Sequence, residues 1–337
     1  MTTVFRVDEC WLNGWHGSTT VVADSSGFRL ASKDDPAPTE HLAGTIFPGF
    51  RDAHVHLGLA DASALRAGGI AVVHDFGWEL EAATRWLKED VRDGNVSLGS
   101  AFPEVRIAGQ LLTVPGGYPT ASGWAPPGAC REIAALDEVP DAVSAQLAAG
   151  ASFIKVALNS EVGPVFDDTT LKAIVEYAHT RGVTVAAHAQ GMGQATRALD
   201  AGVDLLAHAP WSEHLSDDVI AAMASRMAWV STLDIHGWGS FTRDFTTAND
   251  NVRRFHAAGG DIRYGTDLGN GPLPAGINER ELLALEHAGL GLDALAAAIA
   301  PATESGTFGG RISCITAERD DAPAHWLSTA HLIDSQQ

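Results

Sequence analysis

The sequence predicts an α/β fold, a TIM-type (β/α)8 barrel carrying a small β-sandwich-like domain formed by the N- and C-terminal segments. Three observations predict it. Helix-like and strand-like segments alternate through most of the chain, the strand-like segments end in side chains able to bind metal, and the two ends have a different, short-stranded texture. The 337 residues leave room for such a barrel, which takes about 250, and for a small appendage.

Residues 1–47 hold short β-prone pieces, TVFRV, TTVVAD, GFRLAS and GTIF, broken by Gly, Asp and Pro, as small strands with turns are. From residue 48 the texture changes to apolar strand, loop and amphipathic helix. DDTTLKAIVEYAHTRGVTVAAH is the clearest copy, with Leu171, Ile174, Val175 and Ala178 at the spacing of one buried helix face. Asp168 or Thr169 is placed to cap this helix and Gly182 to end it. VTVAAH then reads as a strand buried on both faces, as parallel strands are. Related units are SALRAGG–IAVVHDFG, VPDAVSAQLAAG–ASFIKVAL, QATRALDAG–VDLLAH, SDDVIAAMASRM–AWVSTLD and NVRRFHAAGG–DIRYGTD. Such alternation implies parallel strands with helical crossovers. Strands near residues 51, 71, 106, 153, 184, 204, 229 and 262 make eight, which favours a closed barrel over an open sheet. Residues 307–337 return to β-like pieces, TFGGRISCITA and HWLSTAHLI, placed to pair with the N-terminal strands. The expected division is a small β domain from 1–47 and 307–337 around a barrel over 48–306.

Composition narrows the partners. A formal charge of −20 offers no basic stripe to nucleic acid. No stretch reaches the roughly 18 uninterrupted apolar residues of a membrane span, and the N-terminus lacks the basic start and apolar run of a secretory signal. Cys10, Cys130 and Cys314 lie far apart with no CxxC spacing, which fits buried thiols in a reducing compartment. The expectation is a cytoplasmic protein with a small-molecule substrate as partner, no nucleic acid and no membrane; a homo-oligomer is possible.

The chemistry is positional. FRDAHVH, FIKV, VAAH, LLAH and YGTD are apolar strands that end in His54 and His56, Lys155, His188, His208 and Asp267. The carboxyl ends of parallel barrel strands open on one face, so these residues converge. His54 and His56 are two apart and project from one strand face, where both can grip one ion. A lone strand-end histidine is more often structural, and a lone lysine is a snorkelling surface charge; six such residues on five strands are harder to dismiss. His16, His41, His179, His256, His287 and His325 lie in helices or flanking segments and read as structural or solvated. His214 is less clear, while His74 and His236 fall near strand ends, where they can line the pocket. Tyr118, Trp124, Trp211, His236 and Trp238, on strand-to-helix loops, are the substrate-binding candidates, and loop tryptophans favour a flat or apolar ligand.

Over residues 45–305 the chain resembles the amidohydrolase superfamily, particularly its imidazolonepropionase-like and prolidase-like metallo-dependent hydrolases. GTIFPGFRDAHVHLG is similar to that family's PGxxDxHxH start of the first strand. GGIAVVHDFG resembles its GVTTVRD segment, GASFIKVA the fourth-strand element with a bridging lysine, VTVAAHAQGMGQATRALDAGVDLLAHAP the paired histidine strands, and YGTDLG the closing aspartate. The resemblance implies that His54, His56 and Asp267 bind one metal and His188 and His208 a second, with Lys155 bridging them as a CO2-derived carbamate. It further implies that Asp267 shuttles a proton between a metal-bridging hydroxide and the leaving nitrogen. Two divalent ions are implied, zinc suiting the nitrogen and oxygen donors, with manganese, cobalt or iron as alternatives.

The chain departs from that pattern in places. His74 stands where arginine is usual, Tyr118 stands where a histidine often follows the third strand, the segment LADASALRAGG after HVHLG is short, and the terminal β segments are short. No arginine stands out as a clamp for a substrate carboxylate. The reading is a metal-dependent hydrolase of a C–N bond, an amide or cyclic amide in a small molecule. Alternatives are a lactone or ester hydrolase or a mononuclear deaminase on the same barrel, and, furthest off, a non-catalytic ligand-binding barrel.

Overall fold

The computed structural model describes residues 3–24, 27–89, 102–120, 122–300 and 311–333. The TFGG stretch at 307–310 and the last four residues of the C-terminal segment lie outside them. Strand Arg51–Val55 pairs in parallel with Val72–Asp75, and that with Glu104–Ile107. A second parallel sheet runs in the order Cys130–Glu132, Leu111–Thr113, Phe153–Asn159, Thr184–Gln190, Leu205–Leu206, Ala228–Val230, Asp261–Arg263. Helices connect most successive strands, as the alternation predicts. Cys130–Glu132 was not among the expected strands; it pairs with Leu111–Thr113 at the sheet's edge, where two of its three residues are exposed.

The two sheets meet along a barrel-like surface. On one side the Ala53 amide donates to Tyr264 O, the His56 amide to Leu268 O and the Asp267 amide to His54 O, at 2.8–2.9 Å. On the other, the Ser152 amide donates to Ile107 O at 2.9 Å. Gly265 permits the first of these approaches, since a Cβ there would lie 2.3 Å from Val230 and 3.0 Å from the His54 amide nitrogen.

Two apolar layers flank the strands. A large cluster lies between strands and helices, where helix Asp168–Thr180 inserts Leu171, Ile174, Val175 and Ala178, the face that the sequence spacing predicts. Its cap is Asp167, whose carboxylate accepts from the Thr170 amide at 2.8 Å, one residue before the expected Asp168 or Thr169. Gly182 takes φ +73° just past the helix end. A smaller cluster of mostly alanines with Phe76, Phe153, Leu205 and Val230 packs on the inner side of the strands.

The terminal segments form one mixed seven-stranded sheet, in which Ile312–Ile315 runs antiparallel to Glu40–Pro48 and to His331–Ile333. Thr3–Trp11 lies on the other side of Glu40–Pro48. The N- and C-terminal pairing expected from sequence is present; the strands make a single sheet where a sandwich-like arrangement was expected. Among the described residues no helix is long and apolar enough to cross a membrane.

Candidate metal centre

Strand period two explains most of the inward row. Phe153 and Ala186 belong to the inner apolar layer, and two residues further along the same faces stand Lys155 and His188, followed by Gln190. The first strand needs a bulge to do the same. Its register slips between Asp52 and Val55, so that Ala53 joins the inner layer while its neighbour His54 also reaches the pocket. Asp52 fixes that kink: it accepts from the His54 and Thr266 amides and from the Thr266 hydroxyl. Burial pushes this carboxyl up to about 7.

One pocket is lined by His54, His56, Lys155, His188, His208 and Asp267, all buried, together with Tyr118, Trp124, Trp211 and His236. All six predicted ligand residues and four of the five substrate-binding candidates therefore line a single space. Asp267 Oδ1 lies 3.1 Å from His54 Nε2 and 3.4 Å from His56 Nε2. His54, His208 and Asp267 place ligand atoms within 4.8 Å of one another. Neither His54 Nε2 nor Asp267 Oδ1 has a hydrogen-bond partner among the described residues. Two buried polar atoms aimed at one point, both unsatisfied, are costly; a cation between them satisfies both.

The tautomers suit that role. His54 Nδ1 donates to Ala207 O at 2.8 Å and His56 Nδ1 to Gly77 O at 3.1 Å, leaving each Nε2 with its lone pair toward the pocket. His208 Nδ1 bonds the Thr232 hydroxyl at 2.9 Å, which likewise frees Nε2. His188 is reversed, its Nε2 donating to Gln190 Oε1 at 3.2 Å, so Nδ1 is the available donor atom. Burial, aided by the Lys155 charge, holds His56 at about 4 and His188 at about 3. Burial holds His54 and His208 well below the usual histidine range as well. All four are neutral imidazoles at pH 7, the state that ligates a metal.

Lys155 is buried, with its Nζ 4.5 Å above the Phe76 ring. Desolvation lowers its pKa against the opposing pull of Asp267 and Asp75. Burial raises Asp267, partly offset by the Asn270 amide that donates to Oδ2 at 3.0 Å and by the Lys155 charge.

The aromatic wall is continuous. Tyr118 stacks on His188 with ring centroids 4.9 Å apart, Trp124 lies over His56 at 5.0 Å, and Trp211 packs on His208 and His236 at 5.5 and 4.8 Å. The Trp124 indole donates to the Tyr118 hydroxyl at 3.2 Å. Burial and the Asp267 charge push that phenol up to about 12, so it stays protonated.

Two expectations fail. His74 does not line the pocket; its ring packs on Phe153 at 5.5 Å, because alternation along Val72–Asp75 turns it toward the apolar layer. Trp238 also lies outside. It is 47% exposed and its ring covers Gly271, with φ +45° turning it off the loop. His214 is a surface residue facing Asp250 at 3.4 Å. His41, His179 and His325 pair with Asp8, Asp204 and Glu279, the structural roles expected of them.

Sequence reasoning missed Gln190, Asn270 and Asp75. The first two line the pocket. Buried Asp75 accepts from the Leu57 amide at 2.8 Å and the Gly77 amide at 3.2 Å. It thereby fixes the residue after His56 and the residue whose carbonyl sets the His56 tautomer. The signal was the aspartate closing IAVVHD, one place beyond the histidine that drew attention.

No protein-family model matches the chain. A protein of Mycobacterium tuberculosis, itself described as uncharacterised, is 27% identical over 309 residues, covering 79% of this chain and 78% of its own. Among solved structures, ochratoxinase of A. niger superposes with a TM-score of 0.77 at 19% identity over 99% of this chain and 94% of its own. A Xaa-Pro dipeptidase with methionine bound in its active site gives 0.75 at 17% identity over 98% and 97%. The likeness to these solved structures is one of fold, over nearly the whole chain.

Proposed function

We propose that the protein is a metal-dependent hydrolase of an amide or cyclic amide C–N bond in a small molecule. The observation that carries this is the pair of unsatisfied buried atoms, His54 Nε2 and Asp267 Oδ1, set among four neutral histidines at one end of a parallel sheet. The names of the similar structures, a dipeptidase and ochratoxinase, point to the same class of bond. On this reading His54, His56 and Asp267 hold one divalent ion and His188 and His208 a second, zinc being the best match to the donors. Lys155, whose low-dielectric setting favours the neutral amine that adds CO2, would as a carbamate supply oxygen donors to the ions. The bound ions would supply Lewis acidity toward the amide carbonyl and toward water.

The chain's own residues do the rest. Asp267 takes the proton of the attacking water and returns it to the departing nitrogen, and Asn270 steadies the carboxylate between the two transfers. The Tyr118 hydroxyl and His236 offer hydrogen bonds to a neutral substrate, while Trp124 and Trp211 exclude bulk water. We also read the two parallel sheets as one closed barrel over 48–306, with 1–47 and 307–337 as a separate small β domain. The backbone bonds between Ala53–His56 and Tyr264–Leu268 support closure. Three free cysteines, two of them buried, support a reducing, cytoplasmic setting.

Elemental analysis of protein prepared without chelators, with bicarbonate present, is expected to find about two transition-metal ions per chain. Their removal should lower the melting temperature by several degrees, since a ligand at a hundred times its Kd stabilises by about 2.7 kcal/mol. A chain that takes up no zinc or manganese would refute the proposal. Asp75→Asn, which replaces one acceptor oxygen with a donor, should weaken metal binding about 10- to 100-fold. Equilibrium dialysis reads it, and unchanged affinity would remove Asp75 from the support of His56.

A further inference from the structure

Resting on the hydrolase reading, the geometry points to the class of substrate: a carboxylate-free amide whose short side is uncharged and whose longer side carries a positive charge.

The space around the ligand cluster is small, about 170 Å3, against roughly 300 Å3 at the lower end of ordinary ligand sites. It admits the scissile group and a short substituent. Beyond the ligands and Asn270 its wall is Leu111, Tyr118, Trp124, Gln190, Trp211 and Ile235, all uncharged, with a neutral His236 that burial holds at about 4. Lys155, the sole lysine or arginine in the lining among the described residues, faces the centre itself. A substrate carboxylate here would lose its hydration beside Asp267, with no cation beyond the ions that would be engaged by the scissile group.

The longer part of the substrate has a defined exit. Gln190 and Trp211 line both this pocket and a groove of about 910 Å3. The groove therefore adjoins, across Gln190 and Trp211, the pocket in which the unsatisfied His54 and Asp267 atoms lie. It presents the carboxylates of Glu161, Glu213 and Asp244 against the one guanidinium of Arg243. Glu161 is held in place by the Gln190 amide at 2.8 Å, and His214, the remaining titratable group, faces Asp250. The rings of Trp211 and of Phe241, which is 72% exposed, line the groove as well. Carboxylates and ring faces both attract a cation, and the formal charge of −20 biases approach in the same sense.

The test compares three acetamides of similar length: those of (trimethylammonio)ethylamine, of its isosteric neutral tert-butyl counterpart, and of β-alanine. Turnover and, separately, binding by calorimetry are measured on the metal-loaded protein. The expected order is cation over neutral by about fivefold and over the carboxylate by about fiftyfold, the gaps shrinking with salt. Asp244→Lys should compress or reverse that order. Binding in this order without turnover would support the substrate class while sinking the hydrolase reading. Turnover with equal rates, or with the β-alanine compound preferred, would overturn the substrate class and leave the hydrolase intact. An unchanged charge order in Asp244→Lys would remove the groove from the explanation.

Discussion

Lys155→Ala is expected to cost the protein most of its metal and at least about a hundredfold in activity, with short carboxylic acids partly restoring both. The side chain is buried between Phe76 and Asp267, so truncation leaves a cavity whose mouth is the proposed metal-bridging position. Acetate or propionate fits that space and brings the two oxygens that the carbamate would have provided. A charge-neutral control, Lys155→Met, fills the cavity without donors and should not respond to the acids. Metal content is read by elemental analysis and activity on the best amide found. A fully active Lys155→Ala would mean that the lysine takes no part in the centre.

Asp267→Asn separates two duties of one side chain. Its Oδ1 points at His54 and His56, while Oδ2 is held by Asn270. An asparagine can still present a carbonyl oxygen to a cation, so much of the metal is expected to stay. It cannot accept and return a proton, so kcat should fall by about 10²- to 10⁴-fold. Metal retained with turnover lost is the expected result. Full turnover would move the proton shuttle elsewhere in the pocket, and complete loss of metal would make Asp267 a ligand first.

That the six candidate ligand side chains would line one pocket was legible in the sequence because two rules act together. Strands of one parallel sheet present their carboxyl ends on one face, and apolar runs mark where each strand stops. The residue at the stop of FIKV, VAAH, LLAH or YGTD is then fixed in space without further information. Illegible were features that depend on contacts between distant segments. His74 packs on Phe153 in the inner apolar layer and Asp75 acts through the Leu57 and Gly77 amides, contacts that the apolar residues around them do not announce. Trp238 was misplaced because a loop residue at positive φ follows no periodicity. Asn270 and Gln190 acquire their roles only through Asp267 and His188, and nothing in an isolated Asn or Gln announces it. The terminal strands were readable as strands, but their packing as one sheet depends on a partner hundreds of residues away.

That pairing bears on how the protein folds. The Phe50 amide, one residue before the strand that carries His54, is bound by the hydroxyl of Ser313 at a sequence separation of 263. The Gly49 amide donates to Arg311 O. The segment that delivers His54 is thus seated by residues synthesised long after it, and closing so long a loop is slow. Refolding should therefore show the helices and inner strands protected from hydrogen exchange well before the amides of Gly49 and Phe50. Metal competence would then arrive with that last phase, so an unfinished chain would not capture ions prematurely.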